Sequence, residues 1–315
     1  MTRYRNILVF LDDRQESLRG LERAVELRSI SQAQITVLFV LPKLPTEFAT
    51  WPVEDDREEY RSGLLRAVQR WQQERVSATA PGIPVEVLTT YGDTSVEVIR
   101  RAIIGKHDLV IKTARGHEAD RRVFFGSTAM HLIRKCPCPV WIVAPTPPPP
   151  VTHVLAAVDP ADPPESMALA RRVVEAACAL SKSLDAELDV LHVWNAPAEI
   201  MMRRHFGESD AEGYVNTVRD GTAARLETVL HGLPIRREQI HLRRGVPATE
   251  IAKFAAGRRS EAVVMGSVGR SFLGGLLIGE KAEEILNRVD TGVFVLKPEG
   301  FVSPIQLQEP SSDRD

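Results

Sequence analysis

The sequence predicts an α/β chain: two doubly wound open parallel sheets of five strands each, placed in tandem. Three observations predict it. The chain repeats itself at a nearly constant spacing, short apolar runs alternate with helix-spaced segments in both copies, and a proline run separates the copies.

The repeat comes first because it decides how many domains there are. Asp108–Gly116 (DLVIKTARG) aligns with Glu261–Gly269 (EAVVMGSVG) at an offset of 153 residues, and the same offset joins Gly92 to Gly245 and Gly126 to Gly279. It also joins Pro139–Pro145 (PVWIVAP) to Gly292–Pro298 (GVFVLKP). Near the start, Ile7–Asp12 matches Val154–Asp159 at 147, so the second copy has about six extra residues between its first two strands. A register held with glycines and prolines in step is duplication. Pro145-Thr-Pro-Pro-Pro-Pro150 favours polyproline II and blocks helix or ladder continuation. The expected organisation is a domain over 1–145, a linker over 146–150, a domain over 151–300 and a tail over 301–315.

Each copy justifies the class element by element. Ile7–Leu11 is apolar throughout, as in a strand covered on both faces. Leu18, Leu21, Ala24, Val25 and Leu27 follow with helical spacing, then Ile35–Leu41 as a second strand. A polar stretch with apolar spacing, Val53 to Ser77, predicts a second helix. Val85–Leu88, Val96–Ile104, Leu109–Lys112, Thr128–Lys135 and Val140–Val143 continue the alternation. The second copy repeats the order, with strands near 154–158, 188–193, 239–243, 262–265 and 293–296. Strands alternating with helices make βαβ units, a parallel sheet and right-handed crossovers. In such sheets ligands bind beyond the strand C-termini, where the strand order reverses.

Composition narrows the function classes. The formal net charge is −2, with +3 in the first half and −5 in the second, which gives no electrostatic reason to expect nucleic acid or a membrane surface. No apolar run approaches the ~20 residues needed to span a bilayer. The opening residues lack a signal peptide's apolar core, so the expected location is the cytoplasm. Three cysteines fit a reducing compartment, and Cys136-Pro137-Cys138 reads as small apolar residues entering a buried strand.

The residues that could carry chemistry lie after strands one, two and four. In copy two, Gly266-Ser267-Val268-Gly269 is followed nine residues later by Gly279-Glu280-Lys281. Two glycines let backbone approach a phosphate closely, and the third opens a helix, expected over Ala282–Val289, whose free N–H groups suit an anion. Asp159 ends strand one, where a carboxylate can take ribose hydroxyls or a divalent cation. Other chemistries lack their motifs. No Gly-x-Gly-x-x-Gly follows strand one, no Gly-x-Ser-x-Gly or His-Glu-x-x-His occurs, and Gly274–Lys281 follows the wrong strand for a P-loop. His192 stands where copy one has Phe39 and reads as a core histidine. His205, His231 and His241 lack metal-site spacing.

This Gly-x2-Gly-x9-Gly spacing, with an Asp after strand one, resembles the ATP-binding signature of the universal stress protein family, and the two copies extend the resemblance over nearly the whole chain. The resemblance implies a Rossmann-like, adenine-nucleotide-binding fold in each half and a pseudo-twofold pair within one chain. It implies ATP or another adenine nucleotide as ligand, with Mg as the accompanying ion, and no catalytic residues. Adenine would meet backbone near Val193 in copy two and Val40 in copy one; Met265 belongs to the copy-two site, and in copy one Lys112 would supply charge that partly compensates for Thr113. Phosphates would rest on Gly266, Gly269 and Gly279, with Arg270 and Lys281 offsetting Glu280, which stands where the family usually has Ser or Thr.

Copy one departs differently. Asp12, Gly116, Gly126, Ser127 and Thr128 keep the pattern, but Thr113 replaces the first glycine. Copy two is therefore the favoured site. Two other function classes stay open from sequence: a regulatory interaction module with no nucleotide, and an adenine-nucleotide-using enzyme. The halves are expected to join through their last strands, Val140, Trp141 and Val143 in one and Val293, Phe294 and Val295 in the other, because edge strands invite pairing.

Overall fold

A computed structural model describes residues 4–42, 54–116, 123–145, 153–161, 164–267 and 279–306. The chain divides into two compact units. One holds the described residues between Tyr4 and Ala114, Gly126–Pro145 and 303–306; the other holds those from 153 to 302 together with the described part of Arg115–Phe125.

In the first-repeat unit the strands are β1 (Asn6–Leu11), β2 (Gln34–Leu41), β3 (Val85–Tyr91), β4 (Leu109–Thr113) and β7 (Val140–Val143). Their order is β7-β4-β1-β2-β3, all parallel. Helices α1 (Leu18–Ser31), α2 (Glu54–Thr79), α3 (Thr94–Ile104) and α4 (Ser127–Lys135) form the connections. The apolar runs read as doubly covered strands are that: Ile7, Leu8, Val9, Leu109, Val110 and Ile111 are fully buried.

The second-repeat unit has β8 (His153–Ala157), β9 (Glu187–Trp194), β10 (Ile240–Arg244), β11 (Ala262–Gly266) and β12 (Gly292–Leu296) in the order β10-β9-β8-β11-β12, again parallel. Its helices are α5 (Pro164–Ser183), α6 (Glu199–Phe206), α7 (Glu208–Leu230), α8 (Pro247–Arg258) and α9 (Glu280–Leu286). A two-stranded antiparallel ribbon, β5 (Arg115–Gly116) with β6 (Val123–Phe124), belongs to this unit although it lies inside the first repeat. There the Val123 N–H donates to Asp290 Oδ1 at 2.6 Å. The ribbon was not expected from sequence, since each strand is only two residues long.

The matched glycines after the third strands have a common cause. Gly92 and Gly245 have φ near +150° (+148° and +154°), and the side chains of Glu97 and Glu250 pack where a Cβ would stand. Both positions turn the chain from strand into helix in a conformation that L side chains rarely adopt. In each unit the strand order reverses between the first and fourth strands, which places a crevice beyond the ends of β1 and β4, and of β8 and β11.

Candidate ligand-binding site

At the C-terminal ends of β8 and β11 the second-repeat unit has a cleft enclosing about 750 Å³ of empty space, open solvent included. Val158 and Asp159 enter it from the end of β8, Met265 and Gly266 from the end of β11, and Val193 from β9. Ser166, Leu169, Ala170 and Val173 reach it from α5 at i, i+3, i+4, i+7 spacing, so one helix face lines it. Pro247 and Ile251 of α8 and Lys281, Ala282 and Ile285 of α9 complete it. Apart from Asp159, Ser166 and Lys281 the lining side chains are apolar. Across this lining Lys281 Nζ lies 3.3 Å from Asp159 Oδ2, both partly open to solvent. An apolar chamber with a cation and a carboxylate is suited to an aromatic or aliphatic body that carries a polar, charged end.

Of the second-repeat residues predicted from sequence, the structure brings Asp159, Val193, Met265, Gly266 and Lys281 together in this cleft. Gly269 and Arg270 lie outside the described residues, as does the side chain of Glu280. Gly279 precedes α9 and donates its N–H to the Ser267 carbonyl at 3.1 Å. The helix itself runs Glu280–Leu286, seven residues, starting and ending earlier than the expected Ala282–Val289.

The reason for glycine at 266 differs from the expected one. Its φ lies outside the left-handed region, and a Cβ there would meet Leu169 Cδ2 at 2.8 Å. Close packing of α5 on β11 therefore favours it, since a Cβ would make the Leu169 side chain shift. At the equivalent place in the first repeat the sizes are exchanged. Thr113 stands on β4 and Gly20 on α1, where an added Cβ would meet Thr113 Oγ1 at 3.2 Å. No positive φ is imposed on Thr113. Its hydroxyl is buried, donating to the Ser17 carbonyl at 3.1 Å and accepting from the Gly20 N–H at 3.0 Å.

Other side chains at the first-repeat strand ends hold one another. Arg14 holds the Asp12 carboxylate with Nη2 at 2.7 Å and Nε at 3.0 Å. Arg75 of α2 donates to the carbonyls of Asp12 and Arg14 at 3.0 and 2.6 Å and stacks on Trp71 at 4.5 Å. Burial lowers the Arg75 pKa, while the carboxylates of Asp12 and Asp13 work to hold it up. Lys112, the counterpart of Met265, is buried and donates to the Thr113 carbonyl at 2.8 Å, its ammonium 5.7 Å from the Phe10 ring. Gly126 precedes α4, Ser127 and Thr128 open it, Val40 lies in β2, and Gly116 sits in the β5–β6 ribbon of the other unit.

Sequence reasoning missed most of the cleft wall. Leu169, Ala170, Val173, Ile251 and Ile285 carry the signal of any core face, and periodicity cannot separate a wall from a core. It also missed a polar network at the opposite, N-terminal ends of the strands. His153 of β8, Asp189 of β9, His241 of β10 and Arg258 of α8 converge there. His153 Nε2 lies 2.8 Å from Asp189 Oδ2, His241 Nε2 3.0 Å from Oδ1, and Arg258 Nε 3.1 Å from Oδ2. Burial lowers the His153 pKa; the neutral ring gives its one N–H to Asp189 from Nε2 and leaves Nδ1 to accept the Ser260 hydroxyl at 3.0 Å. This has the composition of a hydrolytic triad, yet His153, Asp189 and Ser260 are all buried, so it joins strands and offers no nucleophile to a substrate. His192 is likewise a buried core histidine, its Nδ1 2.7 Å from the Val158 carbonyl. Among the described residues no group of three or more His, Cys, Asp or Glu is placed to hold a metal ion, and no helix is long and apolar enough to cross a membrane.

Comparison with known proteins decides the family. The model of the universal stress protein family matches twice, over residues 3–144 and 150–297. The chain belongs to the universal stress protein family. Universal stress protein E of Escherichia coli (strain K12) is 27% identical over 317 residues, covering 99% of this chain and 100% of that protein. Universal stress protein E of Salmonella typhi is 28% identical over 313 residues, covering 98% and 99%. Among solved structures, a universal stress protein from Archaeoglobus fulgidus aligns with a TM-score of 0.62 at 21% identity, over 94% of this chain and 99% of that one. A functionally unknown protein from Pseudomonas aeruginosa gives 0.63 at 21% identity, over 94% and 93%. The two sequence relatives match over nearly their whole length, and the two solved structures share the fold of this chain.

Proposed function

We propose that this tandem universal stress protein acts by binding an adenine nucleotide, ATP with Mg being the first candidate, in the second-repeat cleft, as a cytoplasmic ligand-responsive protein with at most slow hydrolysis. One observation carries the reading: Asp159, Val193, Met265, Gly266 and Lys281, chosen from sequence spacing, line one cleft at the strand-order reversal. Its apolar walls suit the face of a base, and Lys281 supplies the positive charge a phosphate needs. In the first repeat Arg14 holds Asp12 and Arg75 holds the Asp12 and Arg14 carbonyls, so a single ligand per chain is expected. Equilibrium binding of labelled ATP to the purified chain tests this. Saturable uptake approaching one per chain supports it, and absence of uptake up to millimolar ATP overturns it.

A second reading rests on the same walls. With so few polar groups, the cleft also suits an amphiphile with an aliphatic body and an acidic end. Mass spectrometry of small molecules released from the purified protein separates the two, since an acyl compound in place of a nucleotide would favour the second.

A further inference from the structure

We propose that the α6–α7 hairpin is a self-association surface, through which two copies of this chain pair about a twofold axis. Helix α6 follows β9 and buries none of its side chains. Ile200 is 82% exposed, Phe206 62% and Met201 57%, so one short helix holds three large apolar groups in water. Single apolar side chains are common on a surface, whereas a cluster rimmed by charge marks a contact with another molecule. Gly207, at φ +92°, turns the chain sharply from α6 into α7 and sets the two helices side by side as one hairpin.

The charges around this cluster select the partner. Arg203 is paired with Glu199 and Glu208, and Arg244 with Glu199, all within the chain. Arg204, Asp210 and Glu212 are exposed and have no ion-pair partner among the described residues. Arg204 lies four residues after Ile200 and three after Met201, so the cation shares a helix face with both. Asp210 and Glu212 stand in the first two turns of α7. One arm of the hairpin thus offers apolar groups with a cation, and the other offers two carboxylates. A second copy, turned so that α6 of each chain faces α7 of the other, supplies the matching set twice over. The carboxylates of Glu208, Asp210 and Glu212 beside the apolar cluster disfavour an anionic lipid surface as the occupant. Gly213 adds room for close approach: a Cβ there would meet nothing within 4 Å, although glycine inside a helix costs stability. A contact confined to two hairpins belongs with the small interfaces, so pairing in the micromolar range or weaker is expected.

Sedimentation equilibrium of the full chain, from low to high micromolar concentration in low-salt buffer, tests the pairing. Wild type should pass from one to two chains per particle as concentration rises, and added salt should weaken the pair. Ile200→Asp should raise the dimer dissociation constant about a hundredfold, since each dimer loses the apolar contact twice. Arg204→Glu should raise it about tenfold, as should Asp210→Lys combined with Glu212→Lys. Mixing the R204E chain with the D210K/E212K chain should restore dimers, because every cation then faces a carboxylate again. Thermal melts of the variants should match wild type, since the substituted side chains are exposed, and recovery in the mixture decides the matter even where one variant melts lower. A wild-type chain that stays monomeric throughout overturns the proposal. So does a dimer that none of the variants weakens, or a mixture that fails to recover. A monomeric wild type that sediments with anionic lipid vesicles, where I200D does not, would assign the surface to a membrane instead.

Discussion

At the scale of single residues, the two repeats solve one contact in opposite ways. Leu169 on α5 fills the space over Gly266, while Thr113 on β4 fills the space over Gly20. Gly266→Ala should therefore destabilise the chain by about 1–3 kcal/mol through overpacking. Leu169→Ala in the same chain should recover part of that loss, although alone it costs about 2–5 kcal/mol. A double-mutant cycle in urea reads the coupling, and additive costs would show that the two side chains do not meet. Acidity gives a second residue-scale test. Burial is the first cause lowering the pKa of His107, His153 and His192. A histidine whose folded pKa lies below its unfolded value contributes stability that is present above the unfolded value, about 6.5, and lost as pH falls below it. Unfolding midpoints should drop between pH 7 and 5, and His192→Phe, the residue the first repeat uses at Phe39, should make that drop shallower. An equal or steeper drop in H192F would remove His192 from the account.

At the scale of elements, the helices after the third strands start from the same glycine turn by different means. Asp93 caps α3, its side chain accepting the Val96 N–H at 3.0 Å and the Ser95 hydroxyl at 2.7 Å. The Ser95 bond first, then the Val96 bond, lower its pKa. In α8, Val246 provides no such bond and Pro247 stands at the first turn, where a missing N–H costs nothing. Asp93→Ala should cost about 1 kcal/mol by cap loss. A depressed carboxylate pKa contributes stability above the unfolded value, about 3.9, that is lost as pH falls through the folded one, so the Asp93→Ala deficit should vanish in strong acid. Thermal melts at pH 7 and 3 measure it, and a deficit independent of pH would assign the loss to something other than the cap.

For the whole molecule, the asymmetry of the repeats predicts one nucleotide per chain. Copying the second-repeat pair into the first, as Thr113→Gly with Arg14→Ala, should not raise the stoichiometry while Arg75 and Lys112 remain; two ligands per chain in wild type would contradict the single-ligand expectation. The final strands give another expectation. Each of β7 and β12 borders one strand of its own unit, and Trp141 and Phe294 are fully buried. The edge logic of the sequence expects these two strands to meet in a pseudo-twofold pair. Trp141→Asp should then lower the melting temperature of the entire chain and promote aggregation, whereas a soluble variant with an unchanged melt would argue against the pairing.

Duplication, strand order and the residues at the strand ends were legible because backbone physics repeats locally. An apolar run of five between helix-spaced segments has few ways to satisfy its hydrogen bonds other than a covered parallel strand. Asp159 and Gly266 could be named for the same reason, since the topology dictates where strand ends converge, whereas Lys281 was implied by the family resemblance. The spacing favoured the second copy on its glycines alone and did not show which side chains surround either crevice. Thr113 was read as the break in the first copy's glycine pattern, and the structure shows what it does there: its hydroxyl joins the Ser17 carbonyl and the Gly20 N–H. Nor did the spacing reveal the ring of apolar side chains from α5, α8 and α9, whose periodicity is that of a core. By itself the sequence determined two copies of one α/β fold. Tertiary structure alone decided which side chains line the second cleft and which hold one another at the first-repeat strand ends, because that depends on side chains brought together from distant segments, and no local pattern encodes their meeting.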